Sequence, residues 1–110
     1  MARKYRRNIL DFASGFRGAH SGLFRAANQQ EEKALACAYV DRNNRKRTFR
    51  RLWIARINAA ARKDGITHSS VIRSLYENRV LLNCKTLAQV ATLDAYRFSR
   101  IVREVSDRRN

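Results

Sequence analysis

The sequence contains few of the residues that break or cross-link a chain. Among 110 residues there are no prolines, four glycines, two cysteines and two histidines. The cysteines lack C-x-x-C spacing, so the sequence supports neither a disulfide framework nor a Cys/His metal site, and we predict no metal and no cofactor. No apolar run approaches the roughly 18 residues that a membrane span requires, and we predict no membrane partner.

Acidic side chains are also scarce, with 9 Asp and Glu against 24 Lys and Arg, for a net charge of +15. Self-repulsion at this density favours an anionic partner, most commonly a phosphate backbone. Residues 1–65 hold 16 basic and 5 acidic side chains, whereas residues 66–110 hold 8 and 4, so we expect the partner mainly on the first half. Arginine dominates the basic set, and its planar fork binds phosphate bidentately and stacks on bases, which favours nucleic acid.

Residue types suited to catalysis are few. His20 and His68 have no nearby nucleophile or carboxylate pair in the sequence. General-base chemistry needs such partners within hydrogen-bond reach, so we predict no enzymatic activity and no small-molecule substrate.

The glycines divide the chain into three parts. Residues 1–22 are predicted as a basic arm or short helix over residues 1–14, followed by the bend GFRGAHSG. Residues 23–64 are predicted as a long helix, and residues 65–110 as a small helical domain. Residues 23–64 contain neither Gly nor Pro, and a helix of that length rises about 60 Å. Asp41, Asn43 and Asn44 are poor helix formers and plausible caps, which leaves open whether this helix is straight or bent near DRNN.

The last part of the chain carries the signals of several short helices. Gly65 is expected to follow the end of the long helix, and Thr67, Asn83 and Asp94 are expected as helix N-caps. The residues expected to face inward are Val71, Ile72, Leu75, Leu87, Val90, Ala91, Phe98, Ile101, Val102 and Val105. The predicted fold is therefore all-α, with a long extended N-terminal basic helix followed by a small globular helical domain.

Cations surround one part of the long helix. Residues 41–65, DRNNRKRTFRRLWIARINAAARKDG, hold nine Lys or Arg, with no acid between Arg42 and Lys63. At about 100° per residue the cations fall on nearly every side of the helix, and the apolar line of Phe49, Trp53 and Ile57 runs between flanking arginines. Phosphates on several sides would neutralise such a helix best, as between folded RNA segments, whereas straight B-DNA offers one groove at a time.

We therefore predict an RNA-binding surface. Trp53 is either a packing anchor or a base-stacking platform, and Asn58 either reads a base edge or ribose hydroxyl or faces water. The residues predicted to contact RNA are Arg3, Lys4, Arg6, Arg7, Arg17, Arg25, Arg42, Arg45, Lys46, Arg47, Arg50, Arg51, Trp53, Arg56, Asn58, Arg62, Lys63 and Lys85.

Two other classes of protein fit the sequence less well. A DNA-binding regulator with a basic recognition helix needs leucine heptads directly after the basic region, where Gly65 interrupts instead. A cationic helix on a membrane surface needs a wide, clean apolar face, which the distribution of arginines does not leave.

Three stretches of the sequence also resemble a known family, in the same order and over nearly the whole chain. GFRGAHSGLFRAANQQ, DRNNRKRTFRRLWIARINAAARKDG and LLNCKTLAQVATLDAYRF are similar to the bacterial-type large-subunit ribosomal protein L-twenty. The central stretch is the most specific, since the family has an Asp-Arg, a Lys/Arg cluster, Phe-Arg, Leu-Trp-Ile, Arg-Ile-Asn-Ala and a closing Gly. The matching positions are Asp41, Arg42, Arg45, Lys46, Arg47, Phe49, Arg50, Leu52, Trp53, Ile54, Arg56, Ile57, Asn58, Ala59 and Gly65.

The resemblance implies a fold, partners and a role. It implies a long helical extension that penetrates large-subunit ribosomal RNA, and a small helical domain on the RNA surface beside ribosomal protein L-twenty-one. It further implies an early role in assembly of the large subunit. A DNA-binding regulator or an extra-ribosomal RNA-binding protein is the alternative.

Some positions depart from the family pattern and bear on the compartment. The segment before GFRG is shorter than in typical bacterial members, His20 stands where Arg is common, and Cys84 replaces a basic residue. The motif RGAHS resembles plastid members of the family, whereas the short segment before GFRG resembles mitochondrial members. We predict an organellar ribosome, with the mitochondrion favoured over the plastid and the bacterial cytoplasm as the alternative.

Overall fold

The computed structural model describes residues 1–108, and this part of the chain is helical with no strand. The helices are α1 (Ala2–Phe12), a short 3-10 helix (Gly18–Ser21), α2 (Phe24–Lys63), α3 (His68–Glu77), α4 (Cys84–Leu93) and α5 (Ala95–Asp107). The prediction of an all-α fold, with one long basic helix followed by short ones, is confirmed.

The chain forms two compact units, which we call the N-terminal unit (Met1–Arg45) and the C-terminal unit (Lys46–Asn110). Their boundary falls inside α2. The sequence-based division at residues 22 and 64 follows glycines and caps, and as a statement about domains it stays a prediction.

Helix α2 has 40 residues and is continuous from Phe24 to Lys63. It passes through Asp41, Asn43 and Asn44 without interruption, so these residues do not cap a helix end as the sequence suggested. Each costs at most about 0.7 kcal/mol relative to Ala in a helix, and the flanking arginines, alanines and leucines are strong helix formers. Continuing the helix is therefore cheaper than leaving two new ends with unpaired backbone groups.

In the N-terminal unit, a small apolar cluster joins α1 to the beginning of α2. Ile9, Ala13 and Ala27 are buried, and Phe16 and Phe24 pack around them. The short side chains of the two alanines let the backbones approach closely. This cluster holds the Gly-rich bend between the two helices in place.

In the C-terminal unit, the end of α2 packs with α3, α4 and α5 around one core. Its buried members are Ile57, Ala61, Val71, Leu75, Leu87, Ala88, Phe98, Val102 and Val105. The other residues predicted to face inward pack against this core as half-buried side chains, namely Ile72, Val90, Ala91 and Ile101. The predicted inward face of each short helix is thus confirmed.

The predicted helix ends of the C-terminal unit are also confirmed. The side chains of Thr67, Asn83 and Asp94 each accept a hydrogen bond from the backbone N–H three residues on, at 3.3, 2.8 and 3.0 Å. Gly65 has a φ of 75°, the left-handed conformation that ends a helix at low cost when the residue is glycine. Asp94 also closes α4, so one residue ends one helix and begins the next.

Candidate nucleic-acid interface

The middle of α2 is an exposed stretch of helix, which we call the basic surface. All of residues 35–52 are exposed, a stretch of about five helical turns. An isolated helix of this composition is marginal in water, because like charges repel along its whole circumference. Its exposed side chains include both cations and large apolar groups: Leu35, Tyr39, Val40, Arg42, Arg45, Lys46, Arg47, Phe49, Arg50, Arg51 and Leu52.

The positive charge of this surface is not neutralised by ion pairs. Those recorded within residues 1–108 are Arg73–Glu77, Arg97–Asp94, Arg103–Asp64 and Arg108–Glu104. None of the cations predicted to bind RNA takes part in an ion pair within this described part. Arg42 makes a local contact instead, with its Nε 3.4 Å from the carbonyl oxygen of Ala38. The cations predicted to contact RNA are therefore available to external anions.

Trp53 is half-buried and lies between the basic surface and the core of the C-terminal unit. Its ring stacks on Phe49 with centroids 6.4 Å apart and an interplanar angle of 22°, and it packs against the core cluster. This geometry favours the packing-anchor interpretation. Trp53 also lines a cavity of about 410 Å³ with Arg50 and Tyr76, so part of the ring stays open to a partner.

Asn58 has a structural contact that the sequence did not suggest. Its Oδ1 accepts a hydrogen bond of 3.3 Å from the backbone N–H of His68, the first residue of α3. Asn58 is half-buried there and links the last turns of α2 to α3. An asparagine amide has further hydrogen-bonding capacity, so this contact does not preclude one with a ribose or base.

His68 contributes an unpaired polar atom beside the basic surface. Its Nε2 is buried and has no hydrogen-bond partner within residues 1–108. Burial lowers the pKa of His68 below its ordinary value of 6.5, and the positive charge of Arg50 lowers that pKa further. Burial and the charge of Arg50 therefore both favour the uncharged form of the ring.

The remaining predicted cations lie on the surfaces of the two units. In the N-terminal unit, α1 presents an exposed basic row, and the guanidinium carbon of Arg6 lies 5.3 Å from the centroid of the Phe24 ring. Of the remaining predicted cations, the exposed ones in this unit are Arg3, Lys4, Arg6, Arg7, Arg17 and Arg25, and the exposed ones in the C-terminal unit are Arg56, Arg62, Lys63 and Lys85.

Sequence reasoning missed one group of residues. Lys33, Gln30 and Phe16 line a cavity of about 520 Å³ in the N-terminal unit, together with the predicted Arg17. The signal that could have indicated it is the spacing of Gly15 and Gly18, which forces the chain back along α2. Only the folded structure shows that α2 residues meet that bend.

Membrane and metal sites are not found in the described part of the chain. No helix within residues 1–108 is both long enough and apolar enough to cross a membrane. The same residues contain no cluster of three His, Cys, Asp or Glu side chains placed to hold a metal ion. Cys37 and Cys84 are both free thiols.

Comparison with known proteins places the chain among ribosomal proteins. The family described as "Ribosomal protein L20" matches residues 1–101. "Large ribosomal subunit protein bL20c" of Adiantum capillus-veneris is 74% identical over 106 residues, which is 96% of this chain and 90% of that protein. The proteins of the same name from Angiopteris evecta and Physcomitrium patens are 61% and 57% identical, over 96% and 97% of this chain and 91% and 93% of theirs.

The chain belongs to the ribosomal protein L20 family, whose members are generally structural and not enzymes. The bL20c names of its relatives designate chloroplast proteins, so the prediction that favoured the mitochondrion over the plastid is not borne out. That prediction depended on the short segment before GFRG. Relatives that are 57–74% identical to this chain carry the plastid designation, so the resemblance of the short segment to mitochondrial versions did not indicate the compartment.

Proposed function

We propose that this chain is a structural constituent of the large subunit of the plastid ribosome, where it binds large-subunit ribosomal RNA and supports early assembly of the subunit. The observation that carries the proposal is the exposed, acid-free basic stretch of α2 in a member of the L20 family. Its cations have no internal ion pairs in the described part of the chain, and a polyanion satisfies them on all sides at once.

The physical basis of this binding is release of counterions. Each cation that neutralises a phosphate frees a condensed counterion, so affinity falls steeply as salt rises. The arginines add bidentate contacts to phosphate oxygens, which a lysine point charge does not provide. Binding also removes the repulsion along residues 42–63, and we expect RNA to stabilise this part of the helix.

The two units have different parts in the proposed assembly. The cations of α1, the bend and α2 contact RNA, and Trp53 and Asn58 join this interface while keeping their contacts to the core and to α3. The C-terminal unit carries exposed apolar side chains, of which Leu81 is 98% exposed. This supports a protein neighbour in the large subunit, for which the family resemblance suggests L-twenty-one.

Sucrose-gradient sedimentation of an organelle extract tests the proposal. Fractions at moderate and high salt are probed for this chain, and the co-migrating ribosomal RNA is identified. We expect the chain to sediment with the large subunit at both salt concentrations, together with plastid ribosomal RNA. A chain found only at the top of the gradient would contradict the proposal and favour an extra-ribosomal or DNA-binding role.

A further inference from the structure

A cavity in the N-terminal unit is lined by an aromatic ring, a side-chain amide and basic side chains. It has a volume of about 520 Å³ and lies between the bend after α1 and the second to fourth turns of α2. Ligand pockets in proteins commonly have volumes of about 300–1,000 Å³, so one nucleotide fits this space. Of the residues that line it, only Cys37 belongs to the exposed stretch of α2 at residues 35–52.

The bend fixes an aromatic ring at this cavity. Gly15 and Gly18 have φ values of 87° and 63°, and Phe16 and Arg17 stand between them. The Phe16 N–H donates a hydrogen bond of 3.1 Å to the carbonyl oxygen of Ala13. Its ring packs against the buried cluster of α1 and α2 and meets Phe12 edge-on at 6.4 Å. The ring is therefore held in position without a ligand.

The other lining residues include cations, which attract phosphate, and an amide, which can form hydrogen bonds with a base edge. Arg17 and Lys33 are exposed cations, and His20 is a further basic group. Gln30 is half-buried and has both a donor and an acceptor, which is what hydrogen bonding to a base edge requires. The two remaining lining residues are small, and no carboxylate lines the cavity.

We propose that this cavity binds one unstacked nucleotide of RNA, with the base against Phe16, the amide of Gln30 at the base edge, and the phosphate near Arg17 and Lys33. Unpaired bases in RNA are commonly recognised in this way, by stacking on an aromatic ring. The inference depends on the RNA binding proposed above. It adds a site for an unpaired base to a surface that otherwise recognises backbone charge.

Two RNA hairpins with the same stem, one fully paired and one with a single bulged nucleotide, provide the test. Their affinities for the full chain are measured by fluorescence anisotropy at fixed salt. Stacking of one base predicts about tenfold tighter binding of the bulged hairpin. Phe16→Leu should abolish this preference and keep the affinity for the paired hairpin, whereas Phe16→Tyr, which retains a ring, should keep both.

Two charge variants separate this site from general attraction. Arg17→Gln should reduce the preference for the bulged hairpin. Arg25, which is also exposed, does not line the cavity, and Arg25→Gln should weaken the binding of both hairpins in the same proportion. If Phe16→Leu lowers the helix content measured by circular dichroism, Gln30→Glu replaces it, because a carboxylate in the cavity should repel the nucleotide without removing apolar packing.

The outcomes distinguish the two proposals. Equal affinity of the unaltered chain for both hairpins, or a preference that survives Phe16→Leu and Gln30→Glu, would overturn the nucleotide site and leave RNA binding intact. Binding to neither hairpin would overturn the proposed RNA-binding function and the nucleotide site with it.

Discussion

The hydroxyl of Ser99 donates a hydrogen bond of 2.8 Å to Oδ2 of Asp64, across 35 positions of the sequence. Asp64 directly follows α2, and Ser99 lies in α5, so this bond fixes the last helix to the end of the long one. Arg103 also approaches the carboxylate, with Nη2 3.4 Å from Oδ1. The side chain of Asp64 is only 13% exposed and that of Arg103 is 71% exposed, so water screens the ion pair more than the hydrogen bond from half-buried Ser99.

Ser99→Ala should destabilise the C-terminal unit more than Arg103→Gln does. Loss of a hydrogen bond to a half-buried carboxylate should lower the free energy of unfolding by about 1–2 kcal/mol. The ion pair with exposed Arg103 should contribute less than about 1 kcal/mol. Urea unfolding of the full chain, followed by fluorescence of Trp53, measures both. A larger loss for Arg103→Gln would show that the ion pair, and not the hydroxyl, holds α5.

Two leucines of α4 give a matched pair for the core. Leu87 is 1% exposed and Leu93 is 84% exposed. Leu87→Ala should lower the free energy of unfolding by about 2–5 kcal/mol, because it removes buried apolar surface and leaves a cavity. Leu93→Ala should change it by no more than about 0.5 kcal/mol. In so small a unit, the first change should leave a substantial unfolded population in thermal melts, and similar melts for both variants would contradict the assigned core.

The sequence predicted the features that depend on near neighbours. Thr67, Asn83 and Asp94 bond to backbone N–H groups three residues on, so the residue type and the following apolar period were sufficient signals. The inward faces of the short helices likewise follow from spacing within each helix. The same residue types at DRNN, which the sequence left open as caps, do not end the helix there, because they lie inside a long run of strong helix formers.

The features that the sequence did not predict join residues from different elements. The bond from His68 to Asn58 depends on how α3 meets α2, and the bond from Ser99 to Asp64 depends on how α5 meets the end of α2. The cavity beside Phe16 likewise requires the bend to lie along α2. Local residue patterns do not determine such crossings. The list of RNA contacts stays a prediction for a related reason, since each contact also depends on the fold of the RNA.

The stability of the free protein should fall as pH falls below about 6.5, through His68. Burial and the charge of Arg50 lower its pKa in the folded state, whereas the unfolded chain keeps the ordinary value of 6.5. Between those two values the unfolded state binds more protons, so the free energy of unfolding decreases as the pH falls and is fully recovered above 6.5. Urea unfolding at pH 5–8 should show this loss, and His68→Gln should reduce it.

His20→Gln is the matched control for this pH dependence, because His20 is exposed and belongs to neither core cluster. In that variant, the free energy of unfolding should still decrease between pH 6.5 and pH 5 as it does in the unaltered chain. An equal slope in His68→Gln would assign the pH dependence to other groups.

Salt dependence separates cations that contact RNA from those that only face water. Arg50 and Arg56 have no internal ion pair within residues 1–108, whereas Arg73 pairs with Glu77 at 2.7 Å on α3. Arg50→Ala and Arg56→Ala should each flatten the plot of log affinity against log salt by about one unit, since each removes about one phosphate contact. Arg73→Ala, with the same change in net charge, should shift the affinity slightly and leave the slope unchanged. If all three variants change the slope equally, the affinity depends on net charge alone. That result would contradict direct phosphate contacts from the arginines of α2.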